Sequence, residues 1–100
     1  MKVTIQEQDG NMVAFLEGRL DTPTAPAAEE ALSPLSGCKG QDIIIDCTSL
    51  EYICSAGLRI FLRILKSAQE KSGHLYIRGI SDDIRAVFAM TGFINIFQFK

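Results

Sequence analysis

The sequence has no tryptophan, only 1 histidine and only 3 cysteines among its 100 residues. No two of the cysteines are separated by two residues, so the spacing of a zinc ribbon or of a thioredoxin-type pair is absent. Cys38, Cys47 and Cys54 are therefore expected to be reduced thiols, as in the cytoplasm. With His74 as the only imidazole and no HExxH arrangement, the sequence predicts no metal site.

The sequence also lacks a basic block and a long apolar run. Its 10 Lys and Arg against 12 Asp and Glu give a net charge of -2, so nucleic acid is not an expected partner. The sequence contains no run of about 18 apolar residues that could cross a bilayer. The alternation of apolar and polar residues over 1–7 is not the pattern of a secretory signal. With 47% hydrophobic residues the chain is too apolar to be disordered. We expect one soluble, cytoplasmic domain over residues 1–100, with no membrane insertion.

The first third of the chain predicts a hairpin and a short helix. Apolar and polar residues alternate over residues 2–7, and a β-biased apolar run follows over 12–16. The Asp-Gly-Asn turn signal at 9–11 joins them, which predicts an antiparallel hairpin. Threonine hydroxyls within residues 22–24 are placed to cap a helix over 25–32.

Strands and helices alternate in the rest of the chain. The β-branched run over residues 42–46 predicts a central strand that is buried on both faces, and a helix is expected over 56–71. A strand over 74–78, a helix over 81–90 and a last strand over 94–99 complete the order β-β-α-β-α-β-α-β. This order predicts an α/β fold in which helices flank a mixed, mostly parallel sheet.

The helix predicted over residues 56–71 has a wide apolar arc of roughly 200°. Its large apolar residues are Leu58, Ile60, Phe61, Leu62, Ile64 and Leu65. The arc fits a tightly packed core helix, or alternatively a helix whose edge at Ile60 and Ile64 is exposed for docking.

Polar residues are predicted where the strands end, which is where open α/β sheets hold their ligands. They are Asp21, Asp46, Thr48, Ser49 and Ser55. Ser55 stands at the entrance of the second helix, where unpaired backbone N–H groups favour an acceptor or an anion. Asp21 and Asp46 are each expected at the end of a strand, so the three converge on one surface unless each only caps a helix or fixes a turn.

An enzymatic function finds little support in the residues. A nucleophile at Cys54 or Ser55 needs a neighbouring base, and His74 is expected on a strand beyond the second helix. Neither GxGxxG nor GxxxxGK[ST] occurs, so no cofactor is predicted. The alternative is a thiol nucleophile at Cys54, activated by the helix N-terminus.

Three segments carry a family resemblance. They are GRLD at 18–21, DCTSLEYICSAGLR at 46–59 and SDDIRAVFAMTGF at 81–93. In this order and spacing they resemble the STAS domains, the bacterial anti-sigma factor antagonists and their relatives, over nearly the whole chain. The family commonly has Asp or Ser before its phosphorylated serine, whereas this sequence has Cys54.

The resemblance implies a STAS-type fold and a phosphoprotein that regulates transcription by protein–protein interaction rather than by catalysis. The unphosphorylated form would bind an anti-sigma factor of the serine kinase type, phosphorylation of Ser55 would release it, and a phosphatase would restore it. The implied neighbours of this switch are Asp21, Asp46, Thr48 and Cys54. The implied partner-binding residues are Ala56, Gly57, Leu58, Arg59 and Leu62.

Some STAS domains are never phosphorylated, which gives an alternative function. In that case the chain would be a constitutive adaptor subunit of a larger complex, such as a transporter or a lipid-transport assembly. Whether the protein is a monomer or a dimer is left open by the sequence.

Overall fold

The computed structural model describes residues 1–37 and 40–100 of the chain. Cys38, one of the three predicted free thiols, lies outside the described residues. The strands are β1 (Lys2–Gln8), β2 (Asn11–Leu20), β3 (Ile43–Ile53), β4 (Leu75–Arg78) and β5 (Gln98–Phe99). The helices are α1 (Ala25–Leu32), α2 (Ser55–Glu70) and α3 (Asp82–Met90), with short 3-10 segments at Ser33–Gly37 and Phe93–Asn95.

The five strands form one sheet in the order β1-β2-β3-β4-β5. β1 pairs with β2 in the antiparallel sense and the other neighbours are parallel, so the predicted mixed, mostly parallel sheet is confirmed. From β2 to β5 the chain moves across the sheet in one direction, and each new strand lies beside the one before it. Because the crossovers are right-handed, all three helices lie on one face of the sheet. Within residues 1–37 and 40–100, no helix is both long and apolar enough to span a bilayer.

The predicted hairpin is confirmed, with a two-residue turn between Gln8 and Asn11. Asp9 and Gly10 have φ angles of 52° and 81°, the left-handed conformations that a type I′ turn requires at both central positions. β2 continues beyond the predicted residues 12–16 to Leu20, because parallel pairing with β3 supports its second half.

β3 is the central strand, as predicted, but it is longer than residues 42–46. Its pairing with β2 continues through register shifts to Leu20 and Ile53. Asp46 and Thr48 were expected to end the strand or to form a turn, whereas pairing with the long neighbouring strand β2 keeps residues 46–49 within β3. Asp46 therefore lies inside the strand, and its predicted position at the strand end is wrong.

The hydrophobic core lies between the sheet and the helices. Alternate residues of the central strands face it, including Ala14, Ile45 and Ile77, each with 0% exposure. Phe61 of α2 and Phe88 of α3 meet there with ring centroids 6.5 Å apart. The opposite face of the sheet also holds buried apolar residues, since Val13 and Ile44 are buried outside this core cluster.

α2 is a core helix, and its predicted docking edge is not exposed. Ile60 and Ile64 retain only 4% and 3% of their accessible surface. Both line a cleft shared with Glu29 and Leu32 of α1, which covers that flank of α2. The interpretation that Ile60 and Ile64 form a docking surface is therefore wrong.

The last part of the chain differs from the prediction in one respect. The predicted helix over 81–90 is confirmed as α3, and Ser81 caps it by accepting a hydrogen bond from the Ile84 amide at 3.2 Å. The strand expected over residues 94–99 is reduced to Gln98–Phe99. Residues Phe93–Asn95 form a 3-10 turn instead, because this path lets the buried Phe97 pack into the aromatic core.

Candidate functional site

The candidate site lies where β2 and β3 end and α2 begins. The Cys54 amide donates a hydrogen bond to the Leu20 carbonyl at 2.9 Å. The Cys54 carbonyl then accepts from the Leu58 amide at 3.1 Å, which closes the first turn of α2. Ser55 is the first residue of the helix and is exposed. An exposed hydroxyl therefore stands at the carboxyl end of the sheet.

Gly57 allows the first turn of α2 to lie directly on the ends of the two strands. A Cβ atom at this position would come within 2.7 Å of Leu20 Cγ and 2.9 Å of Ile53 Cγ1. Real Cβ atoms essentially never approach so closely, so a side chain here would push the helix away. The position of Ser55 relative to β2 depends on this contact.

Asp21 follows β2 and is held in a tight loop by Thr24. The Asp21 amide donates to Thr24 Oγ1 at 3.0 Å, and that hydroxyl in turn donates to the Arg19 carbonyl at 2.9 Å. Thr24 precedes α1, but its hydroxyl makes no capping bond to the helix, so the predicted cap is wrong. The hydroxyl closes the β2–α1 loop instead.

The carboxylate of Asp21 is ionised at neutral pH. Burial raises its pKa, but hydrogen bonds from Thr24 and the charge of Arg19 outweigh that effect, and the net pKa is lowered. Arg19 Nε lies 3.5 Å from Asp21 Oδ2. The β2–α1 loop thus holds an ionised carboxylate, paired with Arg19, next to the start of α2.

Arg19 and Tyr52 are residues of this region that sequence reasoning missed. They are register partners on β2 and β3, and the Arg19 guanidinium lies 4.4 Å from the centroid of the Tyr52 ring. The side chain of Arg19 therefore connects Tyr52 with Asp21. Arg19 and Tyr52 are brought together only by the register between β2 and β3. The sequence does not reveal this register, because the strand predicted from it ends at residue 46, before Tyr52.

Asp46 and Thr48 lie away from Ser55. Residues 47–53 of β3 separate Asp46 from the start of α2, a length of about 23 Å at roughly 3.3 Å per residue. Asp46 Oδ2 accepts from Arg78 Nε at 2.9 Å, and Oδ1 accepts from the Thr48 amide at 2.9 Å. The prediction that Asp46 and Thr48 neighbour the serine is wrong, because β3 carries the chain onwards.

This Asp46 cluster belongs to the helix-free face of the sheet. Burial raises the pKa of Asp46, but the hydrogen bonds from Thr48 and Arg78 and the charge of Arg78 outweigh it and lower the net pKa. Ser49 pairs with Glu17 and, together with Asp46, lines a cleft of about 300 Å³. Ser49 is thus also distant from the start of α2.

The five predicted partner-binding residues differ in their accessibility. Arg59 is exposed, and Ala56 and Leu62 are partly buried. Gly57 is buried and Leu58 has 0% exposure, since helical periodicity turns both towards the sheet. The prediction that the side of α2 with Gly57 and Leu58 contacts a partner is therefore wrong. Ala56, Arg59 and Leu62 remain accessible.

The two thiols that the structure describes, Cys47 and Cys54, do not form a nucleophile and base with the imidazole. Cys54 is partly buried at the start of α2, while His74 Nδ1 lies 3.2 Å from Asp42 Oδ1 where β3 and β4 begin, at the other end of the sheet. Burial and the charge of Asp46 raise the pKa of Cys47 to about 12, so that thiol stays protonated. Among the described residues, no group of three His, Cys, Asp or Glu side chains is placed to hold a metal ion.

Comparison with known protein families shows that residues 2–100 match the STAS domain. The anti-sigma-B factor antagonist of Staphylococcus aureus is 37% identical over 92 residues, which cover 92% of this chain and 85% of that protein. An anti-sigma factor antagonist from Mycobacterium paratuberculosis has the same fold, with a TM-score of 0.87 at 23% identity over 98% of this chain and 83% of that one. SpoIIAA of Bacillus in its phosphorylated form superimposes with a TM-score of 0.72 at 18% identity, covering 99% and 91% of the two chains.

Proposed function

The chain belongs to the STAS domain family, and from that membership we propose that it acts as an anti-sigma factor antagonist. As a single STAS domain over residues 1–100, it binds an anti-sigma factor of the serine kinase type in its unphosphorylated form. Phosphorylation of Ser55 releases it, so that it regulates transcription indirectly, in the cytoplasm and without catalysis of its own. The observation that carries the proposal is the exposed Ser55 at the first turn of α2, next to the loop of Asp21.

Charge explains how one phosphate would act on binding. A phosphoserine carries about -1.5 to -2 charges at neutral pH together with a hydrated group of oxygens. At Ser55 these charges would stand beside the ionised Asp21. A partner that covers this surface would have to desolvate both groups, so association fails.

The same position protects the fold from the modification. The first residues of a helix have unpaired backbone N–H groups and the positive end of the helix dipole, which favour a negative group. Ser55 is exposed, so a phosphate displaces no core side chain. We therefore propose that the switch changes binding while the domain remains folded.

The structure removes the docking edge on α2 that the sequence offered to the adaptor alternative. Ile60 and Ile64 were the candidate docking residues of such an adaptor, and both are buried against α1. The remaining accessible residues around Ser55, among them Ala56, Arg59 and Leu62, are consistent with a partner surface that includes the serine.

The test uses the purified anti-sigma factor kinases encoded in the source genome. Wild-type protein and Ser55→Ala should bind one of them with equal affinity, while Ser55→Asp should bind at least about tenfold more weakly because its charge opposes the complex. With ATP, the kinase should phosphorylate the wild-type protein at Ser55, as read by peptide mass spectrometry, and leave Ser55→Ala unmodified.

Ser81→Asp is the matched control, since it places the same charge at the start of α3, where aspartate is also a good N-cap. It should bind like the wild-type protein. Thermal unfolding of Ser55→Asp should agree with that of the wild type within about 2 °C, which would exclude misfolding as the cause. Equal binding by Ser55→Ala and Ser55→Asp would contradict the proposed function.

A further inference from the structure

The exposed side of α2 carries basic residues on the same face as Ser55. With 3.6 residues per turn, Arg59, Arg63 and Lys66 lie within an arc of about 80° that starts at Ser55. Successive members of this set are three or four residues apart along the helix, and all four side chains are exposed. We call these four residues the cationic α2 face.

This face is unusual in a protein with a net charge of -2. Glu70, at the last position of α2, is the only acidic residue of the helix. Arg63 is paired with Glu29 of α1. Arg59 and Lys66 make no hydrogen bond or ion pair with any residue that the structure describes, so their charges are available to another molecule.

An apolar cleft runs beside the cationic α2 face, between α1 and α2. It has a volume of about 290 Å³. Its apolar lining residues are Ala25, Pro26, Ala56 and Ile60, and both arginines of the face also line it. An acidic group bound at Arg59 would therefore have an apolar recess next to it.

We propose that the cationic α2 face docks an acidic segment of the anti-sigma factor. A carboxylate of that segment pairs with Arg59, and a neighbouring apolar side chain enters the cleft. This inference rests on the proposed function and names the chemistry of the partner surface. A protein segment fits better than nucleic acid, because three cations on one helix neutralise few phosphates whereas an apolar cleft accepts a side chain.

The arrangement also connects binding with phosphorylation. Ser55 and Arg59 are four residues apart on one helix, the spacing at which side chains interact. A phosphate on Ser55 would form a charge-assisted hydrogen bond with the Arg59 guanidinium and would repel the incoming carboxylate. The unmodified protein would thus present a free cation, and the phosphorylated protein a compensated one.

The experiment measures association rates with the purified anti-sigma factor kinase at about 50 mM and about 300 mM NaCl, where screening of exposed charges differs. Arg59→Glu should lower the association rate about tenfold at low salt and remove most of its salt dependence. Lys2→Glu is the matched control, since Lys2 is an exposed cation on β1 with only a 3.8 Å contact to Glu17. It should change the rate less than about twofold.

A second measurement tests the link to the phosphate. In the phosphorylated protein, the phosphoserine should titrate at higher pH in Arg59→Gln than in the wild type, because a cation neighbour favours the dianion. Phosphorus NMR reads this titration directly. Identical titration in the two proteins would overturn the pairing of the phosphate with Arg59.

The outcomes separate this inference from the proposed function. If the wild-type protein binds the kinase, Ser55→Asp releases it and Arg59→Glu behaves like Lys2→Glu, the acidic docking segment is wrong and the proposed function stands. Faster association of Arg59→Glu would indicate a basic partner surface and would also overturn the inference. If the wild-type protein binds no anti-sigma factor, the proposed function itself fails. Binding to duplex DNA that Arg59→Glu abolishes would overturn the protein-segment assignment.

Discussion

The amide of Cys54 donates a hydrogen bond to the carbonyl of Leu20 at 2.9 Å, and this bond joins the residue before α2 to the last residue of β2. Asp21 follows Leu20 and Ser55 follows Cys54, so one main-chain contact brings the loop of the acidic residue to the start of the helix. Their arrangement is therefore a property of the backbone, and side-chain substitutions nearby can test it.

Gly57→Ala should destabilise the protein by about 1–3 kcal/mol, because the new methyl group would overlap Leu20 and Ile53. Urea unfolding measures this loss. The matched test is Leu20→Ala, which makes room for the methyl group. This substitution should lower the free energy of unfolding by less in the Gly57→Ala variant than in the wild-type protein. Additive losses would show that the contact between Gly57 and Leu20 does not limit the approach of α2.

Thr24→Val should lower the free energy of unfolding by about 1–2 kcal/mol, because the Asp21 amide and the loop carbonyls lose the hydroxyl that joins them. Thr22→Val is the control, since Thr22 is exposed and makes no hydrogen bond within the described residues. Its stability should stay within about 0.5 kcal/mol of the wild type. Similar losses for both variants would contradict the role of Thr24 in the loop.

Asp46→Asn should destabilise the protein by about 1–3 kcal/mol at pH 7, because the side chain of Asp46 is only 13% exposed and Arg78 would lose its charged partner. The folded protein holds the pKa of Asp46 below its ordinary value. This stabilisation is therefore complete above about pH 4, near the unfolded pKa, and is lost as the pH falls through the lower folded pKa.

The difference between wild type and Asp46→Asn in urea unfolding should accordingly be large at pH 7 and smaller near pH 3. Glu51→Gln, an exposed position on the same strand without a hydrogen bond or ion pair in the described structure, should show no such difference. Kinase binding by Asp46→Asn should match the wild type below its unfolding temperature, because Asp46 is distant from Ser55. A pH-independent difference would contradict the assigned pKa direction.

Leu58→Ala should cost about 2–5 kcal/mol, because it leaves a cavity in the core under α2. Leu62→Ala, at a partly buried position of the same helix, should cost about 1 kcal/mol or less. Urea unfolding compares the two variants directly. Equal, small losses would mean that Leu58 is a surface residue after all.

Much of the fold is predictable because its signals are local. The bounds of α1 agree with the predicted residues 25–32, and the turn at Asp9 and Gly10 forms the expected hairpin. The entrance of α2 at Ser55 lies within one residue of the predicted helix start. In each case neighbouring residues supply both the pattern and the reason for it, such as turn residues that tolerate positive φ or apolar residues at helical spacing.

The surroundings of Ser55 were less predictable. Asp46 was assigned to the site because polar residues usually end a strand, but pairing with β2 extends β3 beyond it. Arg19 and Tyr52 were missed because they meet only when two strands align. Ile60 and Ile64 were open to both interpretations, since an apolar arc does not reveal whether another helix covers it.

The sequence by itself determined the alternation of strands and helices, the family resemblance and the serine at the start of α2, since each depends on residues that are close in the chain. Only the tertiary structure decided that Asp21 is near this serine and Asp46 is not, and that Leu58 is buried while Arg59 is exposed. These properties depend on strand register and on the face of α2 that α1 and the sheet cover, and both arise from contacts between distant segments.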